Sequence, residues 1–224
     1  MSSPETTATE QAAEVVAGDE AREGLLAELT EALGDAVVES HIRPGDDLWV
    51  RVSRPAWREA ALVLRDNCDF RAFEFLSVID WLPSPFGKNE DSPTDPPPEP
   101  STEVVTGYAG GDTRFQVFAR VHSLPRKLGI TLKVDVPTED LSVDTWIPAY
   151  AGANWHEREA HEMFGIDFTG HPHLAHLYLP GEFEGHPLRK DFPLLARHVK
   201  PWPGIVDIEP MPGDADEEPE GEEG

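Results

Sequence analysis

The chain has 224 residues and a formal net charge of −25, so it is long enough to bury a core and lacks the basic balance of a nucleic-acid-binding module. Its single cysteine, Cys68, excludes an intrachain disulfide and any cysteine-held zinc or iron–sulfur site, and favours a reducing compartment. The acidic N-terminus has no apolar core of the signal-peptide kind, and no run approaches the length of a membrane span.

The charge is concentrated at the ends. Residues 1–24 carry six acids against Arg22 alone, and residues 207–224 carry nine acids and no base. These flanks account for −5 and −9 of the −25, leaving −11 between them. Chains of that composition repel themselves and have little to bury, so both flanks are expected to be disordered acidic tails.

Leu25, Leu26, Leu29 and Leu33 share a helical stripe that Gly34 closes. Leu48–Val52 reads as a strand. Ser53 and Pro55 then start a second helix, with Trp57, Ala61 and Leu64 on its apolar side. The run Phe73–Trp81 is apolar and β-branched enough for a buried strand. From Pro83 to Thr102 seven prolines and four acids mark an exposed loop, long for the inside of a domain. Strands are expected to resume at Glu103–Tyr108 and Thr113–His122, with Ala109–Asp112 as their hairpin turn, and again at Lys127–Val136. Helices followed by consecutive strands predict an α+β fold, with helices covering a mixed or antiparallel sheet.

Beyond Pro148 one short helix precedes a stretch broken by Gly or Pro every few residues, yet studded with Phe168, Leu174, Leu177, Tyr178, Phe183, Leu188, Phe192 and Leu194. That mixture is too apolar for a free linker and too interrupted for a core. It fits an extended segment lying on another surface.

The helix itself, Trp155–Phe164, reads WHEREAHEMF. Zinc-protease helices use His-Glu-x-x-His because residues four apart lie about 40° apart around the axis. His156 and His161 are five apart, about 140°, so one ion cannot take both. Spacing instead suggests a well-capped structural helix: Asn154 as N-cap, an Arg158–Glu162 surface pair, Gly165 as terminator, and Trp155, Met163 and Phe164 facing inward. Seven of the nine histidines lie in the last third, and His171, His173 and His176 offer a metal cluster only if something holds them rigid. No nucleophile elbow, phosphate loop or dinucleotide fingerprint is present.

The residues Asn154–Ile166 (NWHEREAHEMFGI), Phe168–Pro172 (FTGHP) and Phe183–Leu194 (FEGHPLRKDFPL) resemble the signature of the 30-kDa (C) subunit of the proton-translocating NADH–quinone oxidoreductase, respiratory complex I. The similarity runs over roughly 25–194. It departs at Ala175 and His176, where a basic pair is usual, in the 84–102 insertion and in the acidic tails. The chain also ends where forms fused to the D subunit continue.

The resemblance implies a non-catalytic component of the peripheral arm at the cytoplasmic face of the cell membrane. Such a component binds no cofactor, while FMN, iron–sulfur clusters and quinone are held elsewhere in the complex. Its partners would be the D, B and I subunits, chiefly D. Interface roles fall on Glu157, Arg158, Glu159, Gly165, His171, Pro172, Gly185, His186, Pro187, Leu188, Arg189, Lys190, Asp191, Phe192 and Pro193. Glu157, Arg158 and Glu159 are expected to form a buried ionic junction, while Arg189 and Lys190 pair with acids of the D subunit.

The chain is thus expected to divide into a tail (1–24), an α+β domain (25–153), a motif helix with a partner-wrapping segment (154–206) and a second tail (207–224). The remaining alternatives are the equivalent subunit of a membrane-bound hydrogenase or other-donor dehydrogenase, and a stand-alone His-cluster metalloprotein.

Overall fold

A computed structural model of the chain describes residues 19–84 and 103–193. In chain order the elements are α1 (Glu20–Leu33), β1 (Val37–Arg43), β2 (Asp47–Val52), α2 (Trp57–Asp66), β3 (Ala72–Asp80), β4 (Phe115–Ser123), β5 (Leu128–Val136), β6 (Ser142–Asp144), α3 (Ala153–Phe164) and β7 (Asp167–Thr169). Five strands form one sheet in the order β1-β2-β5-β4-β3, antiparallel except for the parallel β2–β5 pair. The α+β expectation is met, and the sheet is the mixed variant.

Alternation along the strands creates the core. Leu48, Val50 and Val52 align with Ile130, Leu132 and Val134, which align in turn with Val121, Ala119 and Val117 on β4. Leu76 and Val78 extend the same face onto β3. Leu25 and Leu29 of α1 and Trp57 and Leu64 of α2 complete this cluster, all four of them fully buried. Each such side chain contributes about 1.5–3 kcal/mol on burial. The stripe predicted for α1 is therefore correct, but the helix already starts at Glu20, inside the expected tail, with Asp19 capping the Arg22 amide.

The opposite face of the sheet is polar. Arg51 bonds Asp135 (2.6 Å), Glu39 (2.9 Å) and the Ala109 carbonyl (2.9 Å), and Lys133 reaches the Tyr108 and Gly110 carbonyls at 2.7 and 3.0 Å. The strand expected at Glu103–Tyr108, and the hairpin with it, does not form, because β4, its expected partner, is already paired with β3 on one side and β5 on the other. The Tyr108, Ala109 and Gly110 carbonyls are taken by side chains rather than by a strand ladder, and Val104 and Val105 face solvent. The rest of the proline-rich loop, 85–102, most of the first expected tail, 1–18, the end of the expected wrapping segment, 194–206, and the whole second tail, 207–224, lie outside the described residues.

The edge at β3 is closed by α3, which packs along it and sets His156 Nδ1 3.2 Å from the Leu76 carbonyl. Covering an edge in this way removes a template for strand addition. Between β6 and α3, Trp146 and Tyr150 enter the core, and the Tyr150 hydroxyl donates to the Phe70 carbonyl (2.7 Å).

Candidate functional site: the motif helix and the segment clamped on it

Three charged residues of α3 have different tasks, none of them a pairing with each other. Glu157 is fully buried and accepts hydrogen bonds from Thr145 Oγ1 and the Trp146 amide, both 2.6 Å. Burial pushes its carboxyl up to about 7, against the opposing pull of those two donors. It fastens α3 to the turn after β6.

Arg158, one position on, faces the downstream segment: its Nε donates to the Ala175 carbonyl (2.8 Å) and its Nη2 to that of His176 (3.1 Å). Glu162, one turn further, is buried and accepts the amides of Leu177 (2.9 Å), Tyr178 (3.2 Å) and Leu179 (2.5 Å). Burial by itself would raise the Glu162 carboxyl, but the three amides outweigh it and hold the group below its ordinary value.

At the head of the same stripe, His171 Nε2 lies 3.2 Å from the Asn154 carbonyl, while its Nδ1 accepts the His173 amide (3.0 Å). That arrangement fixes a neutral imidazole, and burial lowers its affinity for a proton. Asn154, Arg158 and Glu162 stand four apart, so residues 171–179 lie along one helix stripe.

The chain then turns back toward the helix C-terminus. His186 Nδ1 donates to the Glu162 carbonyl (2.9 Å), the Leu188 amide to Met163 (3.2 Å) and Arg189 Nε to Phe164 (2.7 Å). Together these satisfy carbonyls that a helix end leaves open. Gly165 makes this possible: its φ is +74°, and a Cβ there would sit 2.5 Å from both Arg189 Nη2 and His186 Nε2. Gly185, at φ +94°, lets Phe192 approach and stack on Phe183 with ring centroids 6.0 Å apart. Asp80, almost fully buried at the end of β3, accepts two bonds from Arg114 (2.9 and 2.7 Å) and the Lys190 amide (2.9 Å).

The family of the respiratory-chain NADH dehydrogenase 30 Kd subunit matches residues 50–198. The chain belongs to that family. Curated relatives include the C/D subunit of the NADH-quinone oxidoreductase of Yersinia pestis (strain Pestoides F), 47% identical over 91 residues. That of Citrobacter koseri is 49% identical over 88 residues. Those stretches cover 41% and 39% of this chain but only 15% of each relative.

Among solved structures, the trypsin-resistant fragment (1–134) of Nqo5 is 25% identical, with a TM-score of 0.47, over 68% of this chain and 98% of the fragment. A chain of the archaeal membrane-bound sulfane sulfur reductase shares the fold at 20% identity and TM-score 0.55, over 84% of this chain and 94% of its own.

The family resemblance drawn from the motifs is thus borne out, while several expected details of this 30 Kd subunit differ. Gly152, not Asn154, precedes α3, because the Tyr150 carbonyl already starts the turn by receiving the Ala153 amide. Trp155 is 69% exposed rather than inward. The Arg158–Glu162 pair is replaced by their separate bonds to the segment, and the buried junction of Glu157, Arg158 and Glu159 reduces to Glu157 alone. Arg189 and Lys190 are used first within the chain, Arg189 on Phe164 and Lys190 through its amide on Asp80; Asp191 pairs with Arg114.

Through Pro193 the segment is consequently held by its own helix, where a partner had been expected to shape it. Pro172, Pro187 and Pro193 punctuate this path, with Pro187 half-buried and the other two exposed. Among the described residues no group of three metal-ligating side chains comes together, so His171, His173 and His176 do not form a metal cluster there.

Proposed function

We propose that this chain is a structural component of the peripheral arm of an NADH–quinone oxidoreductase, supporting assembly without catalysing a step itself. FMN, iron–sulfur clusters and quinone would then belong to neighbouring subunits, with the D subunit the principal contact and the B and I subunits nearby. Attachment to the cytoplasmic face of the membrane would come through the complex. Among the described residues no helix is long and apolar enough to cross a bilayer.

One observation carries this reading. Arg158, Glu162, His186 and Arg189 of the family motif are spent on backbone atoms of this chain's own helix and segment, with Glu162 holding three successive amides and Arg158 two carbonyls. A general acid or base needs a free path to a reacting atom, and groups so enclosed serve geometry instead. The C/D names of the relatives support the D subunit as the principal neighbour.

Purification through a tag on this chain tests the proposal. Flavin, iron and NADH-dependent quinone reduction should co-purify in fixed ratio. Recovery of the chain alone, or of a complex that reduces quinone from a donor other than NADH, would refute it.

A further inference from the structure

Residues 107–112 cross the polar face of the sheet without belonging to it. They pair with no strand among the described residues, and side chains hold them instead. Lys133, on the middle strand β5 and only 1% exposed, donates to the Tyr108 (2.7 Å) and Gly110 (3.0 Å) carbonyls. Its ammonium stands 5.5 Å from the centre of the Trp81 ring. Arg51 of β2 takes the Ala109 carbonyl (2.9 Å), and Gln116 Nε2 of β4 adds a second bond to that of Gly110 (3.0 Å). The Trp81 indole donates to the same Gln116 side chain (2.8 Å).

The sheet's side chains impose a costly backbone on this segment. Ala109, Gly110 and Gly111 have successive φ values of +59°, +57° and +150°, and Ala109 carries a Cβ into the left-handed region. A Cβ on Gly111 would overlap Gln116 Nε2, so the seat is close-fitting. A segment tied by a few side chains and holding strain of its own opens more readily than the ladder it lies on.

The charges around Lys133 are engaged with one another. Asp135 accepts from Arg51 (2.6 Å) and Gln116 (2.7 Å), while Arg51 also bonds Glu39 of β1 (2.9 Å) and Asp112 (3.4 Å). None of these three carboxylates forms an ion pair with the lysine. His41 and Arg43, also from β1, bear on the Tyr108 ring, the first stacked at 4.6 Å and the second 5.4 Å above it. Lys133 thus keeps its place by two carbonyls and an indole face, in exchange for the water it would have outside.

We infer that residues 107–112 form a strap that opens from the sheet as a unit, and that proton uptake by Lys133 on opening makes the open state rarer as pH rises. Burial pushes the closed-state value of Lys133 from 10.5 down to about 8, Arg51 adding to the effect while Asp135 and Glu39 oppose it. Lifting the strap admits water and returns the amine toward its ordinary value. The open state then binds more protons in the window from about 8 to 10.5, and its population falls as pH climbs through that window. A neutral amine keeps two N–H groups, enough for both carbonyls, and gives up only the attraction of the Trp81 face.

Hydrogen exchange of the Gly110 amide and the Trp81 indole tests this in the full chain, under conditions where exchange follows the opening equilibrium and after correction for the intrinsic rate. For the two proton affinities, opening should be about tenfold rarer at pH 9 than at pH 7. The NMR signal of Lys133 Cε should titrate near 8. Lys133→Met keeps the length of the side chain without its charge, so opening should no longer depend on pH over that range. His41→Asn should retain the wild-type dependence.

Opening that is unchanged or more frequent at pH 9 overturns the inference, as does a Lys133 midpoint near 10.5. A dependence that survives in Lys133→Met, or disappears in His41→Asn, assigns it to another group and has the same effect. Exchange at Gly110 that only matches the core amides of Val117 and Leu132 would show that no separate strap opens. Should Lys133→Met fail to fold, the wild-type exchange and titration decide the matter alone.

Discussion

Arg114 and Asp80 face each other at the end of the sheet through two hydrogen bonds, at 2.9 and 2.7 Å, and the same arginine also grips Asp191, 77 positions downstream. This one guanidinium locks the end of the sheet to the Gly185–Pro193 motif. Burial would raise the Asp80 carboxyl; the Arg114 bonds and the Lys190 and Leu82 amides reverse that and hold it below its usual value. Arg114 is correspondingly held as a cation, chiefly by Asp80 and Asp191.

Arg114→Ala should therefore leave a buried carboxylate without its cation. The expected loss is about 3–5 kcal/mol, well above that of a surface pair, and urea denaturation measures it. Limited proteolysis should show early cleavage within 183–193. A loss below about 1 kcal/mol would mean the pair is no more than a surface contact.

Glu162→Gln keeps the size of the carboxylate but turns one acceptor into a donor facing amide donors. Amide exchange at Leu177, Tyr178 and Leu179 should quicken at least tenfold, and stability should fall by about 1–3 kcal/mol. Because the folded-state affinity for a proton is lowered, the carboxylate's stabilisation is present above the ordinary glutamate range and fades as pH drops through the lowered value. Asp80 and Asp191 shift the same way, so acid should loosen the segment cooperatively below about pH 4.

Glu157 has the opposite sign. Its folded-state value, about 7, lies above the ordinary 4.5, so the group is best tolerated below 4.5 and stability declines as pH rises through 7. Across that window the change approaches roughly 3 kcal/mol, from about 1.4 kcal/mol per unit. Glu157→Gln removes the charge and keeps an acceptor oxygen for the Trp146 amide. Its melting temperature should match the wild type at pH 5 and exceed it at pH 8; equal slopes in the two proteins would show that Glu157 is not the titrating group.

Gly165→Ala combines two penalties. The left-handed backbone costs about 1–2 kcal/mol for a residue with a Cβ, and the added methyl collides with His186 and Arg189. The helix should persist, since its own hydrogen bonds are untouched, while exchange at Leu188 and Arg189 accelerates. A variant that retains both stability and exchange rates would exclude the close-approach role.

Residue pattern alone determined much of this molecule. The leucine stripe of α1, the alternation in β2 and β5 and the Gly165 stop were legible because helix and strand periods are set by local geometry, and the motif from Asn154 to Leu194 identified the family. Tertiary structure decided the rest. Glu103–Tyr108 has strand composition yet became a loop, because both sides of β4, its expected hairpin partner, are occupied by β3 and β5. Arg158 and Glu162 have the spacing of a helix-surface pair, but a desolvated carboxylate gains more from three amides than from one solvated cation. Trp155 had to be inside or outside, and only the packing of α3 along β3 chose. Periodicity states which residues share a face; which face meets the core, and which charge meets which backbone, is fixed by contacts between residues far apart in the chain.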